Sequence, residues 1–99
     1  RNRLQSIYST EYTLALEPFA QKWKSFGWDV IEINGHIHNE LFQSCSNDKH
    51  SKTKPLCVIA NTIKGKGVSF MENNTLWHYR SPQGDEYSLA IEELEKKDA

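Results

Sequence analysis

"LCVIANTIKGKG", residues 56–67, is the stretch that decides the fold. Its first half is an apolar run set off by Pro55, the pattern of a strand buried on both faces in a parallel sheet. Its second half exchanges bulk for two glycines and two lysines, so the strand, read as 56–62, hands over to a loop. In open α/β sheets ligands bind beyond the carboxyl ends of the strands, and this loop occupies such an end. Gly65 and Gly67 let the backbone turn tightly and approach a ligand, while Lys64 and Lys66 offer compact charge suited to phosphate oxygens. A solvated turn would use the same residues, and spacing alone leaves both readings open. His78, with Trp77 before it and Arg80 close behind, adds a titratable donor and another cation, or is an ordinary loop histidine.

Outward from that loop the chain has an α/β rhythm. Glu17-Pro18 opens a helix whose Phe19, Trp23 and Phe26 recur at i, i+4 and i+7 until Gly27 stops it. A short strand, "WDVIEI" at 28–33, follows and ends in the turn residues Asn34-Gly35. Asn39 is expected to cap a second helix that carries Leu41, Phe42 and Cys45 inward and ends near Ser46. The polar run at 47–54 is a surface connection. A last helix at 85–97 places Tyr87, Ala90, Ile91 and Leu94 on one face, with Lys96 and Lys97 complementing its dipole. Helix, strand, helix, strand is a crossover unit of a parallel sheet. Two such strands need neighbours, so the sheet is expected to continue in other chain segments or in a partner.

Composition bounds the function. Ninety-nine residues allow one domain, and an aromatic share of 11% with three Trp provides core material. A net charge of −1 and a pI near 6.5 argue against a general nucleic-acid binder, which needs a basic excess. No apolar run approaches the roughly 18 residues of a membrane span and no secretory signal opens the chain, so a cytoplasmic protein is expected. Cys45 and Cys57 lack metal-ligand spacing and read as reduced, structural thiols. The first residue is Arg1 rather than Met, which points to a fragment or a processed product.

Three stretches, taken in order, carry a resemblance. "KPLCVIANTIKGKGVSFMENNTLWHYR", residues 54–80, resembles the amino-terminal, diphosphate-binding section of transketolases, in which a strand runs into "KTxKGxG" and, after an acidic residue, into "WHGK". "FAQKWKSFGWDVIEINGH", residues 19–36, is similar to that family's helix, "FGW" and "(D/N)GH" turn. "RNRLQS", residues 1–6, is similar to its "DxNxLQ" segment. Together they are more specific than any one glycine pattern. The expected fold is therefore α/β, the carboxyl-terminal part of the diphosphate-binding domain of a transketolase-like enzyme, spanning residues 1–99.

The resemblance implies transfer of a two-carbon ketol unit between sugar phosphates, dependent on thiamine diphosphate and Mg²⁺ or Ca²⁺. Asn2 matches the asparagine whose side-chain oxygen is a metal ligand and Leu4 a residue whose carbonyl is another; both are the oxygen donors such ions demand. The family's aspartate ligand, from an upstream Gly-Asp-Gly motif, has no counterpart here. Gln5 falls at or beside a cofactor-contacting glutamine, Ile63 matches the apolar residue against the cofactor ring, and Lys64 matches a lysine beside the diphosphate. His78 matches the histidine that hydrogen-bonds the diphosphate and the substrate. Arg80 stands where many members have lysine, also at the cofactor, and Tyr79 replaces the usual glycine of "WHGK". The glutamate that activates the cofactor belongs to a separate pyrimidine-binding domain, so the resemblance implies a partner domain or subunit, in a homodimer or a heterotetramer, and a chain not active alone. Deoxyxylulose phosphate synthase, a specialised transketolase acting on unusual sugars, and a non-catalytic module that kept the fold are the alternatives.

Overall fold

The computed structural model describes residues 1–46 and 50–98. In chain order the elements are β1 (Leu4–Gln5), β2 (Tyr8–Ser9), α1 (Thr10–Thr13), α2 (Phe19–Ser25), β3 (Asp29–Asn34), α3 (His38–Ser44), β4 (Leu56–Asn61), a 3₁₀ turn at Thr75–His78, and α4 (Asp85–Asp98). The chain divides into two compact units: Arg1 with Thr10–Thr62, and Asn2–Ser9 with Ile63 onward. Of the expected polar connection at 47–54, residues 47–49 lie outside the described residues, as does the side chain of Lys97.

The first unit is the expected crossover. β3 and β4 pair in parallel, from Asp29 opposite Leu56 to Asn34 opposite Asn61, and buried Ile59 is at its centre. β3 is displaced by one residue from its expected limits and β4 stops one residue short of its expected end, because backbone partners, not side chains, set the limits. Trp28 N donates to Trp23 O at 3.3 Å and stays with the helix end, whereas Asp29 N donates to Pro55 O at 2.9 Å and opens the ladder. At the far end Thr62 N turns from β3 to Arg1 O, at 2.9 Å, while the Arg1 amino group donates to Ala60 O. Arg1 thus meets the outer edge of β4 with the donor and acceptor pattern of a parallel strand.

The helices hold two corrections. α2 starts at Phe19, where the Glu17 carboxylate accepts the Phe19 N–H at 3.0 Å, and it stops at Gly27, whose φ of +87° suits glycine. Phe19 and Trp23 are half-buried and meet edge-on, with Trp23 edge-on to Trp28, but Phe26 is 82% exposed and does not share their packing. α3 is preceded by extended Ile37, so Asn39 is inside the helix and does not cap it. Leu41 and buried Ser44 form the covered pair at i, i+3, the Ser44 hydroxyl donating to Leu41 O at 2.8 Å. Phe42 lies a third of a turn away and is 72% exposed; Cys45 is exposed too. The turn between β3 and α3 requires its glycine: a Cβ on Gly35 would lie 2.6 Å from Thr62 Cγ2 and 3.0 Å from Asn61 O.

The second unit joins an antiparallel pair, β1 with β2, to the long loop and α4. Among its described residues Val68, Trp77 and Ala90 are the buried hydrophobic ones. Trp77 packs edge-on against Phe70 and donates its indole N–H to Phe70 O at 3.2 Å. On α4 the expected face is only partly covered: Ala90 is buried, whereas Tyr87, Ile91 and Leu94 keep substantial exposure.

Candidate functional site

Beyond β4 the chain forms a run of tight turns. Lys66 N donates to Ile63 O at 3.2 Å, Val68 N to Gly65 O at 3.1 Å, and Met71 N to Val68 O at 2.9 Å. Asn73, itself left-handed at φ +53°, then returns its N–H to Lys64 O at 3.0 Å. The loop therefore doubles back as its glycine and asparagine residues predict. Gly65, at φ +74°, is needed for the return itself, because a Cβ there would lie 2.5 Å from Met71 O. Two carboxylates fasten the turns. Glu72 Oε1 accepts Gly67 N at 3.1 Å and lies 3.5 Å from Lys66 Nζ. Glu93, on α4, accepts the Ser69 N–H at 2.5 Å and hydroxyl at 2.6 Å. Lys64 is half-buried, and its ammonium has no ion pair among the described residues.

At the start of the chain Asn2 and Leu4 flank Arg3, which adopts a left-handed φ of +59°. That conformation is uncommon for a residue with a side chain and concentrates at functional sites. Leu4 N donates to Asn2 Oδ1 at 2.9 Å, which fixes the asparagine oxygen at the start of the strand that carries Gln5.

After the glycine loop, Asn74 caps the 3₁₀ turn by accepting Leu76 N at 3.0 Å, and His78 ends it. His78 is exposed, its ring edge-on to that of Tyr79 with centroids 4.5 Å apart; Tyr79 itself is 78% exposed. Arg80 lies over the Trp77 ring, Cζ 4.8 Å from its centroid, and its guanidinium contacts both oxygens of Glu86 at 2.5 Å. Such a surface pair contributes about 0–1 kcal/mol, so an anion can compete for Arg80.

Every candidate residue, Asn2, Leu4, Gln5, Ile63, Lys64, His78 and Arg80, falls in the second unit, although the chain supplies them from two distant stretches. The cysteines and the His36 turn belong to the first. Cys45 and Cys57 are free thiols, and burial pushes that of Cys57 upward in pKa. Sequence reasoning missed Glu86 and Glu93 and passed over Glu72 as merely the acidic residue before "WH"; no periodicity marks a side chain that reaches back across a loop.

No protein-family model matches the chain. It is 37% identical over 97 residues to one of the subunits of the apulose-4-phosphate transketolase of Phocaeicola vulgatus, a match covering 98% of this chain and 34% of that one. It is likewise 37% identical over 98 residues to the 6-deoxy-6-sulfo-D-fructose transketolase subunit SqwG of a Clostridium species, covering 99% and 36%. Human transketolase shares 32% over 77 residues, 78% of this chain and 12% of its own length. The fold is thus part of a transketolase-like α/β domain. The chain is a homologue of transketolases and transketolase subunits, and it spans about a third of the length of the curated subunits it matches.

Proposed function

We propose that the chain is part of the diphosphate-binding section of a thiamine diphosphate-dependent transketolase, which moves a two-carbon ketol unit between sugar phosphates in the cytoplasm. The observation that carries this reading is half-buried Lys64, without an ion pair among the described residues, in a glycine turn at the end of β4, within a chain similar along nearly its whole length to transketolase subunits.

The residues fit the implied groups. For a diphosphate, the loop offers the charge of Lys64. For Mg²⁺ or Ca²⁺, Asn2 Oδ1 and the Leu4 carbonyl are hard oxygen donors, two of the six or more such an ion takes. Among the described residues no cluster of three or more His, Cys, Asp or Glu could hold a metal, so these two oxygens are the donors this chain would offer. When bound, thiamine diphosphate supplies a nucleophilic carbon and an electron sink for the two-carbon unit. Lys64, Arg80 and Gln5 would hold the cofactor, with Ile63 as apolar surface for it. His78 donates to a diphosphate or substrate oxygen and stabilises negative charge as it grows there. A pyrimidine-binding partner, in a homodimer or heterotetramer, completes the site.

The relatives' names favour one refinement. One acts on apulose 4-phosphate and another on 6-deoxy-6-sulfo-D-fructose, which fits a specialised transketolase whose sugar carries a terminal anion. Titration of the complete apoenzyme with thiamine diphosphate at millimolar Mg²⁺, followed by a ketol-transfer assay over phosphorylated and sulfonated ketoses, tests both statements. Saturable binding with transfer is expected; a complete, folded enzyme that binds no thiamine diphosphate would make the chain a non-catalytic module.

A further inference from the structure

The loop carries two lysines two positions apart, and nothing in their chemistry says which one meets an anion. The structure separates them. Lys66 is exposed and its ammonium lies 3.5 Å from Glu72 Oε1, the same oxygen that accepts Gly67 N at 3.1 Å. Lys64 has no such partner among the described residues, and its carbonyl is held by Asn73 N at 3.0 Å. Adjacent residues 72 and 73 therefore grip the glycine turn at two points, one through a side chain and one through the backbone. Resting on the diphosphate reading above, we propose that Glu72 is a positioning residue: it fixes the turn through Gly67, draws the Lys66 ammonium to its own side, and leaves half-buried Lys64 as the glycine turn's cation for the diphosphate.

The sign of the electrostatics makes this testable. A carboxylate beside an anion site repels the ligand, so its charge alone opposes binding and only its grip on the turn favours it. The two contributions come apart in Glu72→Gln, which keeps an acceptor for Gly67 N and loses the charge, and Glu72→Ala, which loses both. Calorimetric titration of thiamine diphosphate into the complete apoenzyme, at fixed Mg²⁺, is the measurement. Lys64→Ala should raise Kd at least about tenfold, as loss of a charge-assisted contact does, and Lys66→Ala less than about threefold. Glu72→Ala should raise Kd about tenfold, Glu72→Gln should bind at least as tightly as the parent, and Glu72→Ala should add nothing to Lys64→Ala because it acts through that lysine.

Equal losses for the two lysines, unchanged affinity in a folded Glu72→Ala enzyme, or additivity with Lys64→Ala would each overturn the proposal. Should Glu72→Ala fail to fold, the contrast between the lysines and the Glu72→Gln affinity still decide it. An unchanged Kd for Lys64→Ala removes the diphosphate reading and this proposal together; a weakened Lys64→Ala beside an unaffected Glu72→Ala removes the proposal alone.

Discussion

His78 ends its 3₁₀ turn exposed, its ring edge-on to that of exposed Tyr79, so removing its imidazole costs little packing. If its hydrogen bond strengthens as charge grows on the substrate, His78→Ala in the complete enzyme should lower kcat and kcat/KM together by about 10²–10³, as loss of one oxyanion donor does. Steady-state ketol transfer, with circular dichroism to verify folding, checks this; near-parental turnover in a folded, cofactor-loaded variant would return His78 to an ordinary surface role. The thiols give a second expectation. Cys45 is exposed, while Cys57 is half-buried and its pKa is raised by burial, which leaves less reactive thiolate at neutral pH. Iodoacetamide should alkylate Cys57 more slowly than Cys45 in the native chain, a difference peptide mass mapping would detect and denaturant should abolish. At this scale the return of the loop past Lys64 was legible because glycine and asparagine mark turns. The partners of Lys66 and Arg80 were not, since Glu72 and Glu86 each reach six residues back through irregular backbone.

Among the elements, the end of the parallel pair is tightly constrained. Gly35 leaves no room for a methyl group, which would meet the Thr62 Cγ2 methyl at 2.6 Å and the Asn61 carbonyl at 3.0 Å. Gly35→Ala should therefore destabilise the enzyme by roughly 1–3 kcal/mol, the usual cost of overpacking, and Thr62→Ser, which removes that methyl, should restore part of the loss. Thermal melts of the single and double variants measure it; a melting temperature unmoved by Gly35→Ala would contradict the close approach. β3, β4 and the three longer helices were legible from hydrophobic periodicity and from Pro and Gly, which depend on sequence alone, whereas the two-residue strands β1 and β2 and the single turn α1 are too short to show a period. Their limits and covered faces were not. Asp29 begins its strand because Pro55 offers a carbonyl, and Phe42 faces outward because the short α3 covers only the line through Leu41 and Ser44. Both depend on distant residues that no local pattern encodes.

For the molecule as a whole, Tyr12, Leu14, Phe26 and Phe42 are all largely exposed, in keeping with a chain about a third the length of its relatives' subunits. The 99 residues by themselves should bind a hydrophobic dye and show no calorimetric affinity for thiamine diphosphate in the micromolar range; tight binding by this chain alone would show that the site needs no other segment. The division into units carries a kinetic consequence. Asn2–Ser9 and the residues from Ile63 onward form one unit, separated in the chain by all of Thr10–Thr62. Bringing distant ends together costs closure entropy before any contact repays it, so pulse-labelled hydrogen exchange during refolding should find the β3–β4 ladder protected ahead of the Asn2–Ser9 hairpin. The order of synthesis adds to the delay, because the Asn2–Ser9 stretch is made before the residues from Ile63 onward that complete its unit.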